Sequence, residues 1–164
     1  MHSSMTEVIH GIRPVIEVLR AGRREVFEVL DSTYNKEVRR TASECGVAVK
    51  KASRSQVEEL ARGGVHQGVV ARVGVYPYVA LDDVLALPEP LIVVLDGVTD
   101  PRNLGAVLRV ADGAGASGVV IPKDRAAGIT PVAVKASAGA SEHMLVARET
   151  NLRRAIDRMK KVGV

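Results

Sequence analysis

Apolar residues recur along this chain with two alternating periods. Ile12, Val15, Ile16 and Leu19 follow helical spacing, with Pro14 near the start, where its missing N–H does no harm, and Gly22 as a stop. The pattern therefore predicts a helix over 11–21. Val26–Leu30 reads as a strand, Asn35–Cys45 as a basic helix closed by Gly46, and Val47–Val49 as a short strand. Ser55 and Glu58 form a capping-box pair that opens a helix through Ala61, which Gly63-Gly64 breaks. Val69–Val75 is β-rich. Together these elements predict an alternating α/β unit over residues 5–75. Pro77, Pro88 and Pro90 punctuate a linker over 76–90 that carries a short helix near Asp82–Leu87.

The pattern then changes sharply. Leu91–Leu95 is an uninterrupted apolar run, as expected for a strand buried on both faces of a parallel sheet. A polar loop follows over Asp96–Arg102, then a helix over Asn103–Asp112, a second strand over Gly118–Ile121, a helix over Thr130–Ala138 and a strand over Met144–Val146. Asn151–Lys161 reads as a basic amphipathic helix, and Val162–Val164 as the first residues of a fourth strand. Residues 91–164 are thus expected to form part of a parallel-sheet α/β domain. Ala136–Ala140, with Lys135, Ser137 and Glu142 around it, suits tight helix packing.

Composition narrows the classes. Hydrophobic residues make up 46% of the chain, enough for a real core and too many for wholesale disorder. Aromatics are only 2%, which disfavours a single-strand binder relying on stacked rings. The net charge of +4, with the excess mostly in the first half, leans towards an anionic partner. One cysteine, Cys45, permits no intrachain disulfide; with no signal peptide and no membrane-length apolar run, a cytoplasmic setting is expected. His2, His10, His66, His143 and Cys45 make no metal-binding spacing, so no metal is expected. Residues 1–5 read equally as an added tag or a native start.

Candidate chemistry concentrates in Leu95–Arg109, where a strand runs through a Gly/Pro-shaped loop into a helix. Ligands of open α/β sheets bind at such strand ends. Leu104, Val107, Leu108 and Ala111 form the core stripe of the helix. Arg102 and Arg109 fall within roughly 20° of each other on the opposite face. Two guanidiniums there suit a ribose-phosphate, or else solvate an exposed face. Gly113-Ala114-Gly115-Ala116-Ser117-Gly118 matches G-x-G-x-x-G but follows a helix and opens a strand, the reverse of the dinucleotide fingerprint.

The run Leu95–Arg109, continued by Val119–Arg125, closely resembles motif 1 of the SpoU (TrmH) family of RNA ribose 2′-O-methyltransferases. His10-Gly11-Ile12 and Val65-His66-Gln67-Gly68-Val69 resemble that family's accessory domain, which is similar to the L30e/L7Ae fold. The resemblance runs from about Glu7 to the last residue, and within the family is nearest to bacterial enzymes that methylate a guanosine of 23S rRNA. It implies a SPOUT domain with a trefoil knot, a homodimer, S-adenosylmethionine as methyl donor and RNA as partner. It also implies that Asn103 and Arg109 are tied to catalysis, with Arg102 in a variable basic slot. The family's second and third motifs lie beyond Val164, so the knot and the cofactor-binding residues are expected there.

Arg109 stays protonated, so its expected role is to hold a phosphate and stabilise alkoxide charge. Asn103 either touches substrate or caps the helix. Lys123, Arg125, Arg13, Arg39, Arg40, His66 and Gln67 are candidates for RNA contact, with a solvated surface or a turn role as the alternative; Arg23, Arg24, Lys50, Lys51 and Arg54 add to the charge. Arg153, Arg154, Arg158, Lys160 and Lys161 read as a solvated helix face. Two rival readings are a non-catalytic RNA-binding module and a transfer-RNA methyltransferase.

Overall fold

A computed structural model describes residues 6–164; the expectations for residues 1–5, including His2 and a unit boundary at Met5, lie outside it. The chain divides into two compact units, one ending at Pro77 and the other running from Tyr78 to Val164.

The first unit contains strand β1 (Thr6–His10), helix α1 (Ile12–Ala21), β2 (Val26–Asp31), α2 (Lys36–Glu44), β3 (Val49–Lys51), α3 (Arg54–Ala61) and β4 (Val69–Gly74). The sheet order is β1-β4-β2-β3, with β4 antiparallel to both neighbours and β2 parallel to β3. Val69, Val70, Ala71 and Val73 of central β4 are buried, and with Val15, Ile16 and Leu19 of α1, Val29, Val38 and Val57 they make the core. Strand β1 has no counterpart in the apolar pattern: Val8 and Ile9 are its only apolar members, and its pairing with β4 forms it. β3 lies two residues later than expected because an edge strand tolerates the exposed Lys50 and Lys51. Lys50 donates to Glu28 across the sheet at 2.8 Å, and this bond lowers the Glu28 carboxyl pKa, with Arg72 adding to it and burial opposing it. The α3 capping box is Ser53 with Gln56, not Ser55 with Glu58. Starting at Arg54 adds two residues to the helix and still buries Val57 and Ala61.

The second unit begins within the stretch expected as linker. Val79 donates its N–H to Val146 at 3.0 Å, and helix α4 (Leu81–Leu85) buries Leu81 and Val84. Next come β5 (Ile92–Val94), α5 (Pro101–Gly113), β6 (Gly118–Pro122), α6 (Pro131–Ala136), a 3-10 turn (Ala140–Glu142), β7 (Leu145–Glu149) and α7 (Leu152–Lys161). The sheet is parallel, in the order β5-β6-β7. Leu81, Val84, Val120, Ala147, Ala155 and Met159 pack as one cluster.

Three expectations change here. β5 is not buried on both faces: among the described residues it is an edge strand, its members are half-buried and Leu91 is 54% exposed. Val162–Val164 does not start a strand. Val162 and Val164 donate back to Met159 and close the end of α7 as a turn. Helix α5 starts at Pro101 rather than Asn103, because Asp100 caps it and proline is favourable in the first turn. The misplaced glycines behave as a stop and a turn between α5 and β6, with Gly115 at φ 77°. Gly105 sets how closely α5 and α6 approach: a Cβ there would lie 2.5 Å from the Ala133 carbonyl oxygen and 2.6 Å from Ala136. This is the tight packing expected of the small-residue stretch, and burial in it lowers the Lys135 ammonium pKa.

Candidate nucleic-acid interface

Parallel strands deliver their carboxyl ends to one side of the second unit, where the loops after β5 and β6 meet. The Ala127 N–H donates to the Val98 carbonyl at 2.8 Å, tying the two loops together. Asp100 Oδ1 accepts from the Arg102 N–H at 2.7 Å and fixes the first turn of α5. Arg102 and Asn103 are consequently held on that turn with exposed side chains. Asn103 is not the cap; Asp100 takes that place, which leaves the Asn103 amide open to solvent.

Lys123 and Arg125 are exposed on the β6–α6 loop, and this loop is braced from elsewhere. Arg148 donates to the Lys123 carbonyl at 2.5 Å and lies 5.0 Å from the centre of the Tyr78 ring. The Tyr78 hydroxyl accepts from the Ile129 N–H at 2.7 Å. Arg148 and Tyr78 are positioning residues that motif spacing did not reveal. Arg102, Asn103, Lys123 and Arg125 therefore flank one pair of joined loops. Arg109 stands on the same face of α5, roughly 10 Å further along its axis. It is exposed, and no side chain among the described residues bonds to or pairs with it.

In the first unit, register places His10 opposite Val70, and Asp31 opposite both Val69 and Lys51. The ends of β1, β2 and β3 and the beginning of β4 therefore lie together. The loop before β4 brings His66 and Gln67 there and the first turns of α1 and α2 bring Arg13 and Arg39, whereas Arg40, next on α2, is in a 3.8 Å pair with Glu44. Gln67 accepts from the Ile12 N–H at 3.1 Å, satisfying a donor at the start of α1. Gln67→Ala should cost about 1 kcal/mol of stability, seen as a lower urea midpoint at unchanged slope. His66 Nδ1 accepts from the Gly68 N–H at 3.0 Å, which puts the neutral ring's proton on Nε2 as a donor. Arg13 makes only a 3.8 Å exposed contact with Glu37, a kind of pair that yields readily to a phosphate.

Arg39 is built more firmly. Its Nε donates at 3.1 Å to Asp31, which is fully buried, and its guanidinium carbon lies 4.6 Å from the Tyr34 ring centre. On α7, Arg158 pairs with Glu149 at 3.5 Å and with Asp82, while Arg153 and Arg154 remain exposed, as a solvated face requires. Among the described residues no group of histidine, cysteine and carboxylate side chains could hold a metal, and no helix is long and apolar enough to cross a membrane.

Residues 90–164 match the SpoU rRNA Methylase family, and residues 8–79 match the family described as RNA 2′-O ribose methyltransferase substrate binding. The putative TrmH family tRNA/rRNA methyltransferase YacO of Bacillus subtilis is 38% identical over 171 residues, covering 99% of this chain and 68% of that protein. The 23S rRNA (guanosine-2′-O-)-methyltransferase RlmB of Haemophilus influenzae is 41% identical over 161 residues, covering 93% and 65%. The crystal structure of an AdoMet-bound rRNA methyltransferase from Sinorhizobium meliloti superimposes with a TM-score of 0.73 at 26% identity, covering 95% of this chain and 58% of that one. Across such relatives the chain spans between 52% and 69% of the curated proteins' length.

Proposed function

The chain belongs to the SpoU family of methyltransferases, and from that premise we propose that it carries the RNA-binding unit and the motif 1 half of an RNA ribose 2′-O-methyltransferase. The proposed substrate is a guanosine of 23S rRNA and the proposed methyl donor S-adenosylmethionine. The observation that supports this best is the cationic array of Arg102, Lys123 and Arg125 beside two bonded loops, with Arg109, which no side chain among the described residues pairs, further along α5. Such an array suits ribose-phosphate. The sulfonium centre of the methyl donor, itself a cation, gains nothing from these side chains.

When bound, S-adenosylmethionine supplies an electrophilic methyl group. The work of this chain's residues is to hold the 2′-oxygen and to favour its loss of a proton to solvent water. Arg109 stays a guanidinium and stabilises the negative charge that grows on that oxygen. Arg102, Lys123 and Arg125 grip flanking phosphates, and the Asn103 amide contacts the ribose. In the first unit Arg13, Arg39, Arg40, His66 and Gln67 contact the RNA at a second place. A homodimer working in the cytoplasm completes this reading.

A transfer-RNA substrate is the second reading, supported by the tRNA/rRNA description of the Bacillus subtilis relative. Mapping 2′-O-methyl marks in cells deleted for the gene decides between them. Loss of one guanosine mark in 23S rRNA is expected. Loss of a transfer-RNA mark alone would assign the second reading, and retention of every mark overturns both.

A further inference from the structure

Resting on the reading that the first unit binds RNA, we propose that Tyr34 is a stacking platform for one unpaired nucleotide, whose sugar and phosphate lie in the adjoining groove. Tyr34 is 53% exposed, although its backbone occupies the left-handed region at φ 56°. Bulky side chains rarely adopt that conformation, and such strain concentrates at functional sites. An exposed ring gains little packing in return.

The neighbouring bonds explain why Tyr34 is held there. The Asp31 carboxylate accepts from the N–H of Thr33 at 2.8 Å and from that of Asn35 at 2.9 Å, so both flanks of Tyr34 are anchored to one buried group. The guanidinium of Arg39, fixed by the same carboxylate, lies over the ring, and the Lys51 ammonium is 5.2 Å from its centre. Lys51 is exposed, so the long lysine stem can carry its ammonium from the ring to a phosphate when a base arrives. An aromatic ring backed by a guanidinium is the kind of surface on which an unstacked base is held.

The groove begins next to this loop. It has a volume of about 440 Å³, within the usual range for small-ligand clefts (about 300–1,000 Å³). Ser32 and Thr33 form one wall, Arg54 and Glu58 of α3 another, and the turn bearing His66 a third. This mixture differs from a uniformly basic track. Arg54 suits one phosphate, the hydroxyls and the His66 Nε2–H suit a ribose, and Glu58 accepts from ribose hydroxyls or base N–H groups while disfavouring a run of phosphates. Gly68 makes the close fit possible. A Cβ there would come within 2.3 Å of Thr33 and 2.9 Å of the Ser32 hydroxyl, two residues of the opposite wall.

The test uses the 164-residue chain with a fluorescein-labelled RNA hairpin carrying 2-aminopurine in its loop, and with a blunt duplex of equal length. The chain should bind the hairpin more tightly than the duplex and quench the 2-aminopurine. Tyr34→Ala should weaken hairpin binding about ten- to hundredfold and abolish the quench, leaving duplex binding unchanged. Tyr34→Phe, which keeps the ring, should retain both affinity and quench. If Tyr34→Ala binds and quenches as the parent does, this inference is overturned while RNA binding stands. If the parent binds neither RNA even at low salt, the reading beneath it falls as well.

Discussion

Asp31→Ala is expected to lower the stability of the first unit by about 3 kcal/mol, the low end of the loss caused by removing one partner of a buried ion pair (about 3–5 kcal/mol). The carboxylate is fully buried and accepts four bonds: the Thr33 N–H at 2.8 Å, the Thr33 hydroxyl at 2.9 Å, the Asn35 N–H at 2.9 Å and the Arg39 Nε at 3.1 Å. Alanine leaves two backbone donors and a guanidinium without an acceptor. The Arg39 side chain is 31% exposed, so water reaches part of it and holds the loss to the lower end. Urea unfolding followed by circular dichroism measures the change; the midpoint should fall with little change in slope. Asp31→Asn should lie between parent and alanine, because one acceptor oxygen survives and the amide nitrogen faces donors. A loss under about 1 kcal/mol for Asp31→Ala would mean that solvent replaces these bonds and that the carboxylate does not organise the loop. The same loop presents Tyr34, so the alanine variant should also lose hairpin binding at temperatures where it remains folded.

Sequence pattern revealed elements that bury a continuous face and hid those that depend on distant partners. Helix α1 was legible because Val15, Ile16 and Leu19 are buried where their spacing puts them. β6 was legible as an apolar run with all of Gly118–Ile121 buried. β1 was not, because pairing with β4, about sixty residues away in sequence, makes it a strand. Among the site residues, the motif pointed to Arg102, Asn103 and Arg109 on one helix, and the fold leaves all three exposed. It assigned the start of that helix to Asn103, whereas the Asp100-Pro101 pair two residues upstream carries the stronger capping chemistry. Arg148 and Tyr78 brace the Lys123–Arg125 loop from β7 and from the start of the second unit, a relation no local spacing encodes. Tyr34 was hidden differently. An aromatic content of 2% argued against stacking on average, but one ring is enough where a buried carboxylate holds it in place.

Arg109→Ala, made in a catalytically active preparation of the protein, should reduce kcat by about a hundred- to a thousandfold, the effect of losing one group aimed at developing oxyanion charge. Its surroundings make the experiment clean. The side chain is exposed and no group among the described residues depends on it, so the substitution should change stability by no more than about 0.5 kcal/mol. Lost activity would then not be lost folding. Arg109→Lys should recover little, because an ammonium keeps the charge but not the planar, forked donor array. The rival role, in which Arg109 only grips a phosphate, makes a different set of predictions. RNA affinity would fall, the dependence of log K on log salt would become shallower by about one unit, and kcat at saturating RNA would stay at the parent value. A role in charge stabilisation instead leaves affinity and salt dependence nearly unchanged and moves kcat alone. Single-turnover methylation at saturating RNA separates the two, and a parental rate in that assay would remove Arg109 from the chemistry.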